Sequence, residues 1–294
     1  MTAGHIAALC GLLSPNRDGP RALISVPGCW DGLSALLVEQ AGFEAAFLTG
    51  GGLAMARLGR PDMGLITASE ATDAVMQIRD RIELPLIVDG DTGFGNAINL
   101  QRTVRGFERA GASAIQIEDQ GFPKRCGHMA GKTVVPLTEA VGRVKAALDA
   151  REDMLVFART DAVACEGIDA ALDRAEAFLE AGADAIFVEG PRSSEELVRV
   201  ADRFSARVPL IHNLVEGGVT PTDDGAELER LGFAIALHPL LLMHGFVHHA
   251  PGWLATLRAD RSTRAMSDRL ARLDDMNRLT GAAALIELGA RYDA

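Results

Sequence analysis

The sequence predicts a (β/α)8 TIM barrel of the α/β class, and three observations lead there. Eight short apolar runs, each too short for a helix, alternate with longer amphipathic stretches along 294 residues. A helix-ending glycine followed by an apolar run recurs as AGFEAAFL, AGASAIQI, AGADAIFV and LGFAIAL. Such a repeat reads as one αβ hairpin used several times, with glycine supplying the left-handed C-cap. The runs also end in polar or glycine residues: Gly50, Asp89 with Asp91, Glu118, Arg159, Glu189 and Asn213. In a barrel of this kind the C-terminal strand ends carry the chemistry.

In order, an N-terminal helix within MTAGHIAALCGLLSP, capped by Thr2, precedes a strand over 22–26. A helix over 33–40 leads to a strand over 45–48, which runs into the loop Thr49-Gly50-Gly51-Gly52. A helix over 69–81 leads to Pro85 and the strand 86–88, which stops at Asp89-Gly90-Asp91. The alternation continues with helix 97–110, strand 114–117, helix 138–149, strand 154–158 and helix 169–181. Strand 185–188, helix 194–204, strand 208–211, a short helix near 224–231 and strand 233–237 complete eight units. Helices from about 240 onward close the set. The whole of 1–294 reads as one barrel domain, with 252–294 as a C-terminal helical extension. One barrel needs a single closing helix, so apolar positions such as Leu270, Leu273, Leu285 and Leu288 require a partner, such as another subunit.

At 48% hydrophobic the chain can bury a large core, and a net charge of −11 argues against nucleic acid or an anionic membrane as partner. No apolar stretch approaches the roughly 18 residues of a membrane span. No basic residue precedes the N-terminal apolar patch, so it does not read as a signal peptide. Cys10, Cys29, Cys126 and Cys165 show no metal spacing, which suits reduced thiols in a cytoplasmic enzyme. Cys10, Cys29 and Cys165 read as core or near-core packing.

Two carboxylates two apart at a strand end, Asp89 and Asp91, should point the same way. With Glu118-Asp119 on a neighbouring strand they form a cluster of hard oxygens suited to Mg²⁺, with Mn²⁺ as a substitute. Lys124-Arg125-Cys126-Gly127-His128 sets a thiol among cations in a glycine-containing loop, the setting of a reactive cysteine. Taken alone, each feature has a plainer reading: a solvated loop, a packed thiol, a barrel salt bridge for Arg159. His244 and His248 share a helical face, but no HExxH glutamate follows, so zinc is not expected. Gly50-Gly51-Gly52 lacks the GK[ST] of a phosphate loop, so nucleotide binding is not expected either.

Together, LTGGG (48–52), LGRPDMG (58–64), VDGDTGFGN (88–96), IEDQ (117–120), KRCGHMAGK (124–132), ARTDA (158–162) and NLVEGG (213–218) resemble the isocitrate lyase/phosphoenolpyruvate mutase superfamily. KRCGH resembles the signature of its lyase branch, and the likeness runs from about residue 20 to about 250. The resemblance implies a Mg²⁺-binding barrel that exchanges its eighth helix between subunits of a homotetramer. It implies that Asp89 and Asp91 hold the metal and that Glu118 reaches it through water. Cys126 becomes the proton donor on a mobile loop, assisted by Lys124, Arg125 and His128, while Arg159, Glu189 and Asn213 contact substrate. Thr49, Gly50, Gly51 and Gly127 join the substrate contacts, and Asp62 lies near the floor of the site. His244 stands where the resemblance expects an arginine for the substrate's far carboxylate.

The implied reaction is retro-aldol cleavage of a 2-hydroxy di- or tricarboxylate of the 2-methylisocitrate, 2,3-dimethylmalate or isocitrate type. It yields a 2-oxo acid and a second carboxylic acid. Met129 and His244 replace two cations of the methylisocitrate lyases, which favours a substituted malate-like dicarboxylate, since unpaired buried carboxylates are costly. The alternatives are oxaloacetate hydrolysis or decarboxylation, carboxyphosphonoenolpyruvate mutase chemistry, and a non-catalytic barrel serving as sensor or scaffold.

Overall fold

The computed structural model describes residues 3–15, 21–127, 129, 131–218 and 220–292. Eight parallel strands close in chain order: β1 (Ile24–Cys29), β2 (Ala46–Leu48), β3 (Leu86–Asp89), β4 (Ala114–Glu118), β5 (Leu155–Thr160), β6 (Ala185–Val188), β7 (Leu210–Asn213) and β8 (Ile235–His238). Closure sets Ile24 of β1 opposite Ile235 of β8, and Val26 opposite Leu237. The expected (β/α)8 barrel is the observed fold. Strands such as LIV and AIFV are continuous apolar runs because parallel strands are covered on both faces.

The barrel interior is filled by Phe47, Ile87, Phe157, Phe187, Ile211 and Ile235. Leu9 and Leu13 of the helix Gly4–Leu13 belong to the same core. That helix lies at the N-terminal ends of the strands, where His5 Nδ1 is 2.9 Å from Ser113 Oγ, just before β4. Its N-cap is Ala3, without a side-chain cap bond, and the expected cap Thr2 lies outside the described residues. Leu9 is fully buried. Leu9→Ala should therefore cost about 2–5 kcal/mol in urea unfolding, by lost burial plus the cavity left behind, and leave turnover unchanged.

The structure departs from the sequence reading at several points. β1 runs on through Pro27-Gly28 to Cys29, because Gly28 and Cys29 pair with Phe47 and Leu48. β7 and β8 likewise begin two residues later than expected and end at Asn213 and His238. The glycine triplet expected as a loop opens a helix, Gly50–Leu58, capped by Thr49, whose Oγ1 accepts from Gly52 N. Cys29 is buried as expected, but Cys10 and Cys165 are exposed, on outward faces of the helices Gly4–Leu13 and Ala162–Glu166.

The chain divides into two compact units, 1–241 and 242–294. The first holds all eight strands. The helix Leu241–Asp260 runs through Pro251, so the helical extension has no break at 252. After it come a 3-10 turn, Arg264–Arg269, and the helices Leu273–Thr280 and Ala282–Ala290. Phe246, Val247, Leu254, Leu285 and Ile286 of the second unit are exposed.

Candidate active site

At the C-terminal ends of the strands lies a cavity of about 230 Å³. Its walls include Thr49, Gly51, Asp62, Asp89, Glu118, Lys124, Cys126, Gly127, Arg159 and Asn213, ten residues that the sequence singled out. Gln116, Phe47, Met55, Val215 and Leu240 complete much of the wall and carried no sequence signal beyond being apolar or amide, and Met129, singled out for replacing a cation, lines it too. Asp91 faces a neighbouring cavity that also touches Lys124. His128 lies outside the described residues, and His244 lies in the second unit, on the helix Leu241–Asp260.

The acids at β3 do not continue one strand. Asp89 ends β3, and Asp91 sits in a turn with φ +47°, so their convergence comes from a left-handed kink rather than strand alternation. A Cβ on Gly50 would lie 2.9 Å from Asp89 Oδ2 and 3.3 Å from Asp91 Oδ1. Only glycine lets the helix start approach so closely, and Gly50 N donates to Asp89 Oδ2. Lys124 Nζ bridges Asp62 Oδ1 at 2.5 Å and Asp91 Oδ1 at 2.6 Å. The contact to Asp91 is an ion pair without hydrogen-bond alignment. Burial pushes Asp91 up to about 7, with Lys124 pulling down and Asp89 and Asp62 pushing further up. Burial works against the Lys124 ammonium, but Asp91, Asp89 and Asp62 outweigh it and hold its pKa well above the usual lysine range.

Glu118 ends β4 directly beside Arg159 of β5 in the sheet register. Its Oε2 lies 3.3 Å from Arg159 Nε, while its Oε1 is buried with no hydrogen-bond partner among the described residues. Burial raises its pKa well above the carboxylate range, with Arg159 opposing. The next acid, Asp119, turns the other way: it accepts from Thr160 Oγ1 at 2.7 Å and from Asp161 N at 2.9 Å. It braces the end of β5 instead of joining the rim cluster expected from the sequence. Among the described residues no three His, Cys, Asp or Glu side chains gather as a metal-ligand group. Asp89 and Asp91 are the pair that could hold a divalent cation, and Glu118 Oε1, without a hydrogen-bond partner among the described residues, could assist. Two carboxylates with room for waters is a donor set that Mg²⁺ accepts.

Arg159 is buried and fixed by carboxylates. It donates to Asp161 through Nε at 2.9 Å and Nη2 at 3.0 Å, and its Nη1 lies 3.7 Å from Glu189 Oε2. Its guanidinium also covers the Phe187 ring at 5.1 Å. Glu189 Oε2 accepts from Asn213 Nδ2 at 3.0 Å, which leaves Asn213 Oδ1 buried and without a hydrogen-bond partner among the described residues.

The cysteine segment leaves and rejoins the barrel at an antiparallel bridge between Gln120 and Val134. Gln120 clamps it from inside, donating to Arg125 O at 2.8 Å and accepting from Arg125 N at 3.0 Å. Cys126 N donates to Asp62 O at 3.1 Å, so the thiol residue is tethered beside the Lys124 cluster. A Cβ on Gly127 would lie 2.4 Å from Arg159 Nη2 and 2.6 Å from Glu189 Oε1, so glycine is required for the segment to sit over Arg159. Lys132 and Asp161, quoted in the sequence motifs without a role, complete this contact, with Lys132 Nζ 2.7 Å from Asp161 Oδ1.

The family model for phosphoenolpyruvate phosphomutase matches residues 18–246. The 2,3-dimethylmalate lyase of Eubacterium barkeri is 39% identical over 274 residues, covering 92% of this chain and 94% of that protein. A 2-methylisocitrate lyase of Bacillus subtilis is 43% identical over 218 residues, covering 74% of this chain and 71% of that one. The structure of oxaloacetate acetylhydrolase in complex with the inhibitor 3,3-difluorooxalacetate superposes with a TM-score of 0.90 at 31% identity, covering 97% of each chain. With its closed barrel and acidic, cysteine-bearing rim, the chain belongs to the phosphoenolpyruvate phosphomutase family, within the isocitrate lyase/PEP mutase superfamily of enzymes.

Proposed function

We propose that the protein is a Mg²⁺-dependent carbon–carbon lyase that cleaves a 2-hydroxy dicarboxylate of the substituted-malate type into a 2-oxo acid and a second carboxylic acid. The observation that carries this reading is the seat of Gly127 against Arg159 and Glu189, which brings Cys126 to the wall shared by Asp89 and Glu118. The named relatives point the same way, being lyases of 2,3-dimethylmalate and 2-methylisocitrate.

Asp89 and Asp91 would hold the Mg²⁺, with Glu118 assisting, and the ion would supply polarisation of the substrate's C2 oxygen, favouring loss of its proton. Glu118 Oε1, buried and without a hydrogen-bond partner among the described residues, is an acceptor that the cavity offers for that proton. Breaking C2–C3 leaves a C2 carbonyl and sends the bonding pair to C3, the enolate carbon of the departing acid. Cys126 gives its thiol proton to that carbon. Arg159, locked by Asp161, presents a fixed cation to a substrate carboxylate, and Asn213 Oδ1 offers one acceptor to a hydroxyl. Met55, Met129, Val215 and Leu240 give the cavity an apolar side that accommodates alkyl substituents better than a third carboxylate.

The test incubates purified protein with Mg²⁺ and isocitrate, 2-methylisocitrate, 2,3-dimethylmalate, other 2-alkylmalates or oxaloacetate, followed by NMR. A 2-oxo acid from one alkylmalate is the expected result. Acetate and oxalate from oxaloacetate would replace this reading with the hydrolytic one, which the oxaloacetate acetylhydrolase neighbour brings into the panel. Oxalate, which imitates the enolate of a 2-oxo acid, should raise Tm only with Mg²⁺ present, by about 3 kcal/mol equivalent at a hundredfold excess over Kd. Equal stabilisation in EDTA would remove the metal from the proposal. Manganese is expected to substitute.

The assembly proposed is a homotetramer with exchanged C-terminal helices, supported by the exposed Phe246, Val247, Leu254, Leu285 and Ile286 of the second unit. Light scattering giving a monomer mass would end that reading. No helix among the described residues is long and apolar enough to cross a membrane. The four cysteines, none of them in a disulfide among the described residues, support a cytoplasmic setting.

A further inference from the structure

Lys132 is the least expected charge in the site. Its side chain is 2% exposed, and the Asp161 side chain that it meets is fully buried. From a position two residues before the bridge at Val134, its ammonium reaches back across the segment to Gly127 O at 2.5 Å. The same ammonium bonds Asp161 Oδ1 at 2.7 Å, on the barrel side. One cation therefore ties Gly127 both to its own segment and to the end of β5. Asp161 Oδ1 is also the acceptor for Arg159 Nη2, and Gly127 lies directly against that Nη2. Lys132, Asp161, Arg159 and Gly127 thus close a ring of contacts in which each member fixes the next.

A buried lysine is kept only where its charge is paired, and here the partner is already held by an arginine. One carboxylate facing two cations would suffice for Arg159 alone; the second cation serves the segment. Gln120 and the Asp62 carbonyl restrain the segment at Arg125 and Cys126, before Gly127. Past that point, among the described residues, Lys132 supplies the bonds that hold Gly127 down.

We propose that Lys132 is a positioning residue that latches the Cys126 segment onto the barrel through Asp161, so that the carboxylate orienting Arg159 also sets where the thiol stands. The role in turnover rests on the lyase reading, but the latch itself is a property of the resting protein and can be measured without a substrate.

The test compares intact wild type, Lys132→Met and Lys132→Arg by iodoacetamide labelling, with mass-spectrometric rates for Cys126 and for the exposed Cys10 as internal reference. In Lys132→Met the Cys126 rate relative to Cys10 should rise about tenfold or more, because the segment opens more often once a charge-assisted bond is lost. Lys132→Arg keeps the charge and should return the ratio toward wild type. Hydrogen exchange should show faster exchange of peptides spanning 121–133 in Lys132→Met, with the N-terminal strands unchanged. If Lys132→Met does not fold, Lys132→Gln, which keeps a donor for Gly127 O and loses the ion pair, is labelled in its place. A folded Lys132→Met, or Lys132→Gln in its place, whose ratio stays at the wild-type value overturns the latch. With an active substrate, Lys132→Met should lose about tenfold in kcat with a smaller change in KM. A silent substrate panel with an altered labelling ratio would sink the lyase reading and leave the latch standing.

Discussion

Replacing Cys126 by serine is expected to lower turnover of the best substrate about 10²–10⁴-fold, the usual worth of a positioned general acid. Serine is nearly isosteric, so the main-chain bond from residue 126 to Asp62 O and the seat of Gly127 against Arg159 should persist. What changes is acidity: a thiol titrates near 8.5, whereas an alcohol holds its proton far more tightly. The C3 enolate would then await a proton from water, a slower route than a positioned thiol. The variant should still bind oxalate with Mg²⁺, read as an unchanged rise in Tm. Activity within tenfold of wild type would show that the proton comes from another group. Loss of oxalate stabilisation would instead mean that the substitution disturbed the site.

The largest stability effect is expected at Arg159. Its guanidinium faces Glu118, Asp161 and Glu189, all buried. Arg159→Met strands three carboxylates with less compensation, and breaking a buried ion pair by removing one partner costs about 3–5 kcal/mol. Activity should vanish as well, since the anion-binding cation is gone. Arg159→Lys separates the two effects: one ammonium cannot reproduce the bidentate grip on Asp161, so most of the stability should return while turnover stays low. Urea unfolding of the three proteins, beside their turnover, gives the answer. A Met variant as stable as wild type would show that these carboxylates take up protons instead of relying on Arg159.

Much of this was legible in the residues because it is local. The strand over 185–188 is an unbroken apolar run and that over 114–117 is interrupted only by Gln116, each lying between a glycine cap and an acid, and the barrel contains both. The polar strand ends from Asp89 to Asn213 do face one end of the barrel, since the fold collects every strand terminus there. What the sequence hid depends on distant partners. The triplet at Gly50 reads as a loop until Asp89 and Asp91 are placed beside it, where a Cβ would collide with their oxygens. Asp91 was expected to follow Asp89 along a strand, and it reaches the same place by a turn with positive φ. Asp119 looks like a twin of Glu118, yet alternation sends it to Thr160 and Arg174. Lys132 could not be distinguished from a solvated surface lysine, because its meaning lies in Asp161, on another strand end.

The antiparallel bridge between Gln120 and Val134 carries a consequence for how such an enzyme changes. Because those two residues meet, the stretch between them begins and ends at one spot on the barrel rim. Its removal or exchange leaves the spacing of β4 and the helix Leu137–Ala150 untouched. The proton donor proposed here, Cys126, is thus housed in a replaceable module, while the acids and Arg159 belong to the permanent frame. Chemistry can be rewritten by swapping the module, without refolding the vessel that holds the substrate.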